Sequence, residues 1–171
     1  MTETWLTEEQ QAAWVRLAAV LELLPGVLDT QLRRDSALTH FEYYTLAMLS
    51  EAEDRTLRMT ALAAQTNATL PRLSHVVRRL EDRGLVGRSP CPEDARATNA
   101  RLTDAGLDLV RAAAPGHVAT VRSHVVDALS AEQVTQLRAI ADAVLGRIDP
   151  DRTMAATYTR YDADGQATAG R

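Results

Sequence analysis

Apolar residues recur along most of this chain at intervals of three and four, the spacing that gathers them on one face of an α-helix. The first stripe is Trp14, Leu17, Leu21, Leu24, Leu28 and Leu32, which predicts a helix over residues 7–33 with a kink or local distortion at Pro25-Gly26. A second helix is predicted from Thr39, with Glu42 three residues on as its capping-box partner, through Phe41, Leu46 and Leu49 to about Ala52. Residues 55–59 read as a short extended link. Two closely spaced helices follow: Thr60 is expected to cap one over residues 61–66 that Asn67 stops in left-handed backbone, and Thr69 caps a longer one that tolerates Pro71 in its first turn. In the longer one, Leu70, Leu73, Val76, Val77 and Leu80 form a stripe, leaving Arg72, His75, Arg78 and Arg79 on other faces. Gly84 ends it. Residues 85–89 and 99–103 then read as two short strands around a charged loop with Pro90 and Pro92.

The last third returns to helical spacing. From Thr103 or Asp104, the positions Leu107, Val110, Ala114, Val118, Val121, Val125 and Leu129 repeat like a coiled-coil seam, with a bend expected at Pro115-Gly116. Ser130 and Gln133 form another capping box, opening a helix whose stripe of Val134, Leu137, Ala141, Val144 and Ile148 needs a partner. After Asp149-Pro150 the residues become small and polar, so residues 149–171 are expected to be a flexible tail. The predicted class is mainly α with a small β-hairpin wing: a winged helix-turn-helix lobe over residues 39–103, and a helical dimerisation region from residues 1–38 and 104–148.

Composition narrows the function. With 46% hydrophobic and 25% charged residues in 171, the chain has the make-up of a folded globular protein. It begins without a basic or apolar leader, and no segment is expected to approach the roughly 18 uncharged apolar residues of a membrane span. The single cysteine, Cys91, permits no intrachain disulfide or thiolate cluster, in keeping with a reducing, cytoplasmic setting. The net charge of −4 is unpromising for a nucleic-acid binder until it is divided. Residues 55–101 hold nine arginines against four acids, a net +5, which leaves −9 on the remainder.

A helix, a tight connection, a second helix with a basic face and a basic hairpin can place one helix in a major groove while the hairpin reaches the adjoining backbone. The positive field supplies affinity for phosphate, and side chains early in the second helix can read base edges. Arg72 can meet guanine bidentately, while Thr69, Ser74 and His75 offer shorter hydrogen-bonding groups, and Arg78 and Arg79 add charge. The competing reading is a solvated arginine face on an ordinary amphipathic helix.

The wording of this segment decides between them. Residues 62–68 (Leu-Ala-Ala-Gln-Thr-Asn-Ala), residues 73–86 (Leu-Ser-His-Val-Val-Arg-Arg-Leu-Glu-Asp-Arg-Gly-Leu-Val) and residues 92–106, beginning Pro-Glu-Asp-Ala-Arg, resemble the MarR family of winged helix-turn-helix regulators. The resemblance covers residues 7–148 and leaves out only the tail. It implies a homodimer with intertwined terminal helices, a near-palindromic duplex operator and repression relieved by a small aromatic or phenolic effector. It also implies that Asp94-Ala95-Arg96 is a wing motif whose aspartate orients an arginine for the minor groove; a narrow, electronegative groove favours such a tip. Trp14, His40, Phe41, Tyr43 and Tyr44 are candidates to line an effector pocket between the two lobes, against the alternative that they simply pack a helix junction.

Other chemistry is weakly represented. The sequence carries no Gly-rich phosphate loop, nucleophile elbow or zinc-binding histidine pair, so no catalytic residue, cofactor or metal site is assigned. His117 and His124, seven residues apart, lack a close-spaced third ligand. Cys91 lies beside the wing tip, whereas MarR-like thiol sensors carry their cysteine in the first helix. The alternative to DNA binding is a winged-helix module for protein partners, which does not require arginines on both the second helix and the hairpin tip.

Overall fold

A computed structural model describes residues 5–92, 94–160 and 162. The first element, α1 (Glu8–Ser36), starts where the Thr7 hydroxyl accepts a hydrogen bond from the Gln10 backbone N–H and the Gln10 side-chain oxygen accepts one from the Thr7 backbone N–H. It runs as one helix through Pro25-Gly26, where a distortion is expected from sequence. The carbonyl that proline leaves without a helical partner belongs to Leu21, an exposed residue of the same face, so the break falls on the solvent side of the helix. The Thr39 capping box opens α2 (His40–Glu51) as predicted: Glu42 N–H donates to Thr39 Oγ1 at 3.0 Å, and Thr39 N–H donates to Glu42 Oε2 at 2.8 Å.

The extended link becomes a strand. β1 (Thr56–Arg58) pairs antiparallel with β3 (Asp94–Leu102), which also pairs with β2 (Val86–Cys91), giving a three-stranded sheet in the order β1-β3-β2. The wing strands therefore extend into the segment expected to be a loop. Pro90 is tolerated because β2 is an edge strand and its register shifts between Pro90 and Cys91. Between β1 and β2 lie α3 (Met59–Gln65) and α4 (Leu70–Asp82). Thr60 does not cap α3: Arg58 is the N-cap, because β1 leads directly into the helix and Thr60 falls inside it. Asn67 takes φ +47° after α3, and Thr69 Oγ1 accepts from the Arg72 backbone at the start of α4.

Thr103 caps α5 (Asp104–His124), which continues through Pro115-Gly116. The seam does not reach Leu129 as a single helix. Val125 leaves helical geometry and a short 3₁₀ turn follows, before Ser130 and Gln133 box the start of α6 (Ala131–Ile148). Beyond it, where a flexible tail is expected, the Asp149 carboxylate accepts bonds from the Thr153 and Met154 backbones and from the Tyr158 hydroxyl. This turn leads into α7 (Ala155–Tyr158), whose Thr157 meets the Tyr44 hydroxyl at 3.4 Å, while Arg160 pairs with Glu51. One acceptor with several local donors thus orders residues whose apolar content alone predicts no structure.

The core lies in the central lobe, where Leu46, Leu49, Leu62, Leu73, Val77 and Leu102 are fully buried among α2, α3, α4 and the sheet. The terminal helices are different. None of the residues of α6 is buried, and α1 exposes a row including Leu21 at 60% and Leu23 at 70%. Contrary to the expectation from counting uncharged runs, α1 is long and apolar enough to cross a membrane by length and composition, with an 18-residue window of mean hydropathy 1.4. It reaches that value despite Arg16 and Glu22, because the intervening residues are almost all aliphatic.

Gly106 marks the tightest approach of α5 to the sheet. A Cβ there would lie 2.2 Å from the Leu85 carbonyl oxygen and 2.6 Å from Leu102 Cδ1. Alanine in a helix ordinarily gains up to about 1 kcal/mol over glycine. Here the backbone clash outweighs that gain, and Gly106→Ala is predicted to destabilise the fold by about 1–3 kcal/mol. Urea unfolding measures the difference; an alanine variant as stable as wild type would show that α5 can move off β2 at little cost.

Candidate nucleic-acid interface

Leu73, Val76, Val77 and Leu80 bury one side of α4 and so fix where its cations point, whereas Leu70, expected in the same stripe, is 43% exposed because it lies in the first turn, beyond the edge of the core. Arg72 and Arg79, seven residues apart, share the flank that faces α2. The guanidinium carbon of Arg72 lies 4.4 Å above the centre of the Phe41 ring. Arg79 Nη2 approaches Glu42 Oε1 at 3.0 Å as an ion pair, off the line of a well-formed hydrogen bond. One turn later, Arg83 donates to the Ala37 carbonyl at 3.1 Å. His75 and Arg78 are exposed on the outer side, Thr69 is exposed at the N-cap, and Ser74 is half-buried on the flank toward the wing.

The wing is tied to α4 by a second arginine-carboxylate contact. Arg88 of β2 donates from Nε and Nη2 to Glu81 Oε2 at 2.8 and 2.6 Å, and its backbone N–H reaches Oε1 at 3.2 Å. These bonds hold the Glu81 carboxyl below its ordinary range, the side-chain bond from Arg88 being the main cause. At the far end, Asp94 Oδ1 accepts from the Arg96 backbone N–H at 3.0 Å. The aspartate therefore fixes the main chain that carries the arginine, and the exposed Arg96 side chain extends from that turn. Between helix and wing is a cleft of about 190 Å³ lined by Arg58, Thr60, Ser74, Arg88 and Arg96 among others. Sequence spacing does not single out Arg58 or Arg88. Only the regional charge count hinted at them, since β-pairing brings them beside Ser74.

This arrangement has close counterparts among solved proteins. Sco3205 from Streptomyces coelicolor, a MarR family transcriptional regulator solved in complex with DNA, is 44% identical, with a TM-score of 0.81 over 84% of this chain and 94% of that one. The chain belongs to the MarR family. The family's sequence profile matches residues 38–98. AbsC, another MarR family transcriptional regulator from S. coelicolor, is 39% identical with a TM-score of 0.77, covering 86% of this chain and 96% of that one. The HTH-type transcriptional regulator YdcH of Bacillus subtilis is 37% identical over 82 residues, which are 46% of this chain and 54% of that protein.

In this MarR-family chain the five aromatic and polar candidates for an effector pocket do not converge. His40 stacks on His117 with ring centres 6.2 Å apart, and Tyr43 packs on the same histidine at 4.7 Å, at the junction of α1, α2 and α5. Phe41, on the next residue of the helix, turns toward α4. Tyr44 donates to the Gln65 carbonyl at 3.2 Å on the α3 side, and Trp14 is 53% exposed near the start of α1. Adjacent residues of α2 point about 100° apart, which sends His40 and Phe41 to different neighbours, and Tyr44, one turn beyond His40, meets α3 further along the helix. His117 and His124 also part: His124 Nδ1 lies 2.9 Å from the Thr120 carbonyl, and no metal-binding group of three His, Cys, Asp or Glu occurs among the described residues. Cys91 is buried at the end of β2, unlike the accessible thiols that react readily.

Burial lowers the pKa of both His40 and His117 from the ordinary 6.5. The Asp29 charge opposes the shift at His40, and the neighbouring His40 reinforces it at His117. Between the depressed folded values and 6.5, the unfolded chain binds more protons, so stability is predicted to fall as pH drops below about 6.5. His117→Phe keeps a ring at the junction and removes one titrating site. Thermal unfolding between pH 7.5 and 5.5 should show a shallower decline for this variant; equal declines would place the pH sensitivity elsewhere.

Proposed function

We propose that this protein is a homodimeric, sequence-specific DNA-binding transcriptional regulator that acts as a repressor and is released by a small aromatic effector. The observation that carries the reading is the joint display of Arg72, His75 and Arg78 on α4 and Arg96 on the wing, in a fold shared at 44% identity with a regulator solved on DNA. In this reading α4 enters the major groove. Thr69, Arg72, Ser74 and His75 meet base edges, Arg78 and Arg79 add positive field, and Asp94 holds the turn from which Arg96 enters the minor groove. Activity on DNA assigns the protein to the cytoplasmic compartment that holds the chromosome.

The dimer accounts for the terminal helices. Val134, Leu137, Ile140, Val144 and Ile148 of α6 are each at least 40% exposed, as are Val15, Leu17 and Val20 of α1. Continuous apolar surface of that kind is covered by another copy in the proposed dimer, so residues 1–38 and 104–148 serve dimerisation and residues 39–103 read DNA. Two-fold symmetry sets the two α4 helices about one helical turn of DNA apart on a near-palindromic operator. An effector entering at the α1-α2-α5 junction meets His40, Tyr43 and His117. His117 Nδ1 is buried there without a hydrogen-bond partner among the described residues. By preferring one spacing of the reading lobes, such a ligand shifts the population away from the DNA-competent state.

Removal of the single arginine at each end of the interface separates its two jobs. Arg96→Ala should weaken binding to an operator selected from random duplexes and to scrambled duplex alike, with a smaller salt slope. Arg72→Ala should cost about 1–3 kcal/mol on the operator, less on scrambled DNA, and relax one base position in each half-site. Equal losses for Arg72→Ala on both duplexes would restrict Arg72 to phosphate, and no loss from either variant would refute the interface.

Truncation after Leu129 deletes α6 and exposes the surface that it covers. The shortened chain is predicted to aggregate or unfold, since its dimer contacts contribute to stability through mass action. A soluble, folded monomer in sedimentation analysis would remove the terminal helices from the interface.

A further inference from the structure

The proposed reading of DNA by Arg72 leaves open what aims that side chain. An arginine at the start of an exposed helix has many rotamers, and ordering them on binding opposes affinity. Three cations on the same flank of α4 are restrained by the segment around α2, and the restraints are chemically unlike. Arg83 donates to a carbonyl, and Arg79 turns Nη2 toward a carboxylate. Those contacts direct N–H groups toward the protein. Arg72 instead lies over the Phe41 ring, and its guanidinium donates no hydrogen bond among the described residues.

Contact with the ring face restrains the guanidinium through its charge, without engaging the N–H groups that a guanine edge accepts. Phe41 is itself half-buried and packed against the lobe core, and the next residue, Glu42, is locked by the Thr39 capping box. The platform under Arg72 is thus as rigid as the first turn of α2. We infer that Phe41 is a specificity-determining positioning residue: it touches no DNA and presets the direction of Arg72, so that the aromatic ring on α2 governs which base α4 accepts. This inference rests on the proposed base-reading role of Arg72.

The test is selection from a random duplex pool with the full-length wild type and the variants Arg72→Ala, Phe41→Leu, Phe41→Tyr and the double variant Phe41→Leu/Arg72→Ala. The base position relaxed by Arg72→Ala identifies the one Arg72 reads. Phe41→Leu should relax that same position and lower affinity for the selected operator by about two- to fivefold, the size of an exposed cation–π contact. Phe41→Tyr, which keeps the ring, should retain the preference, and Phe41→Leu should add no further loss in the Arg72→Ala background. Thermal unfolding and scrambled-duplex binding monitor the fold; if the leucine variant is unfolded, Phe41→Met fills the same space without a ring. Relaxation by Arg72→Ala with none by the folded Phe41 variant would overturn the positioning role alone. No relaxed position in Arg72→Ala would overturn the base-reading role and this inference together. A loss of preference in Phe41→Tyr equal to that in Phe41→Leu would show that packing, and not the ring's hold on Arg72, is responsible.

Discussion

The carboxylate of Glu42, only 1% exposed, joins the parts of the molecule that must stay in register. One oxygen closes the Thr39 cap and so fixes where α2 begins, immediately after α1 ends. The other meets Arg79 and sets α2 against α4. A buried carboxylate without such partners carries a large desolvation penalty, so the arrangement tolerates little displacement of either helix. His40 and Phe41 precede Glu42 in the same turn. Their contacts with α5 and α4 therefore inherit its geometry.

From that turn the structure divides its arginines between those engaged within the protein and those open to solvent. Arg79, Arg83 and Arg88 are engaged by Glu42, Ala37 and Glu81, which holds α4 and the wing as one unit. Arg78 and Arg96 project into solvent, while Arg72 is steadied through its ring contact. A net +5 over residues 55–101 thus overstates the charge presented in any one direction, although all of it contributes to the long-range field. The −9 elsewhere opposes approach of a polyanion to the rest of the chain, which orients the proposed DNA encounter.

The outer helices follow a different physical logic. Within the central lobe, burial of Leu46, Leu62 and Leu73 is complete in one chain. In α1 and α6 the same kinds of side chain remain exposed, so the periodicity that marks a core face also marks the face proposed to meet a second copy. The proposed second copy covers that surface, and it makes the spacing of two reading lobes dependent on how α1 and α5 meet at His40, Tyr43 and His117.

Much of this protein was legible in its sequence because the signals were local. Capping boxes at Thr39 and Ser130, the αL residue Asn67 and the apolar stripe of α4 depend on neighbours within a few residues, and each lies where its spacing predicts. The MarR resemblance was equally local, carried by contiguous text in the helices and wing. Contacts between distant segments were decided only by the tertiary structure. β1 required an edge of β3 some forty residues later, and that pairing displaced the expected cap at Thr60. The aromatic candidates looked like one cluster because they are near in sequence, yet a helix sends adjacent residues in different directions and separated Phe41 from His40. Order after Asp149 likewise came from donors converging on one carboxylate and from Tyr44 and Glu51, which no composition reveals. Local sequence determines the elements and their faces; which face meets which is set by packing across the chain.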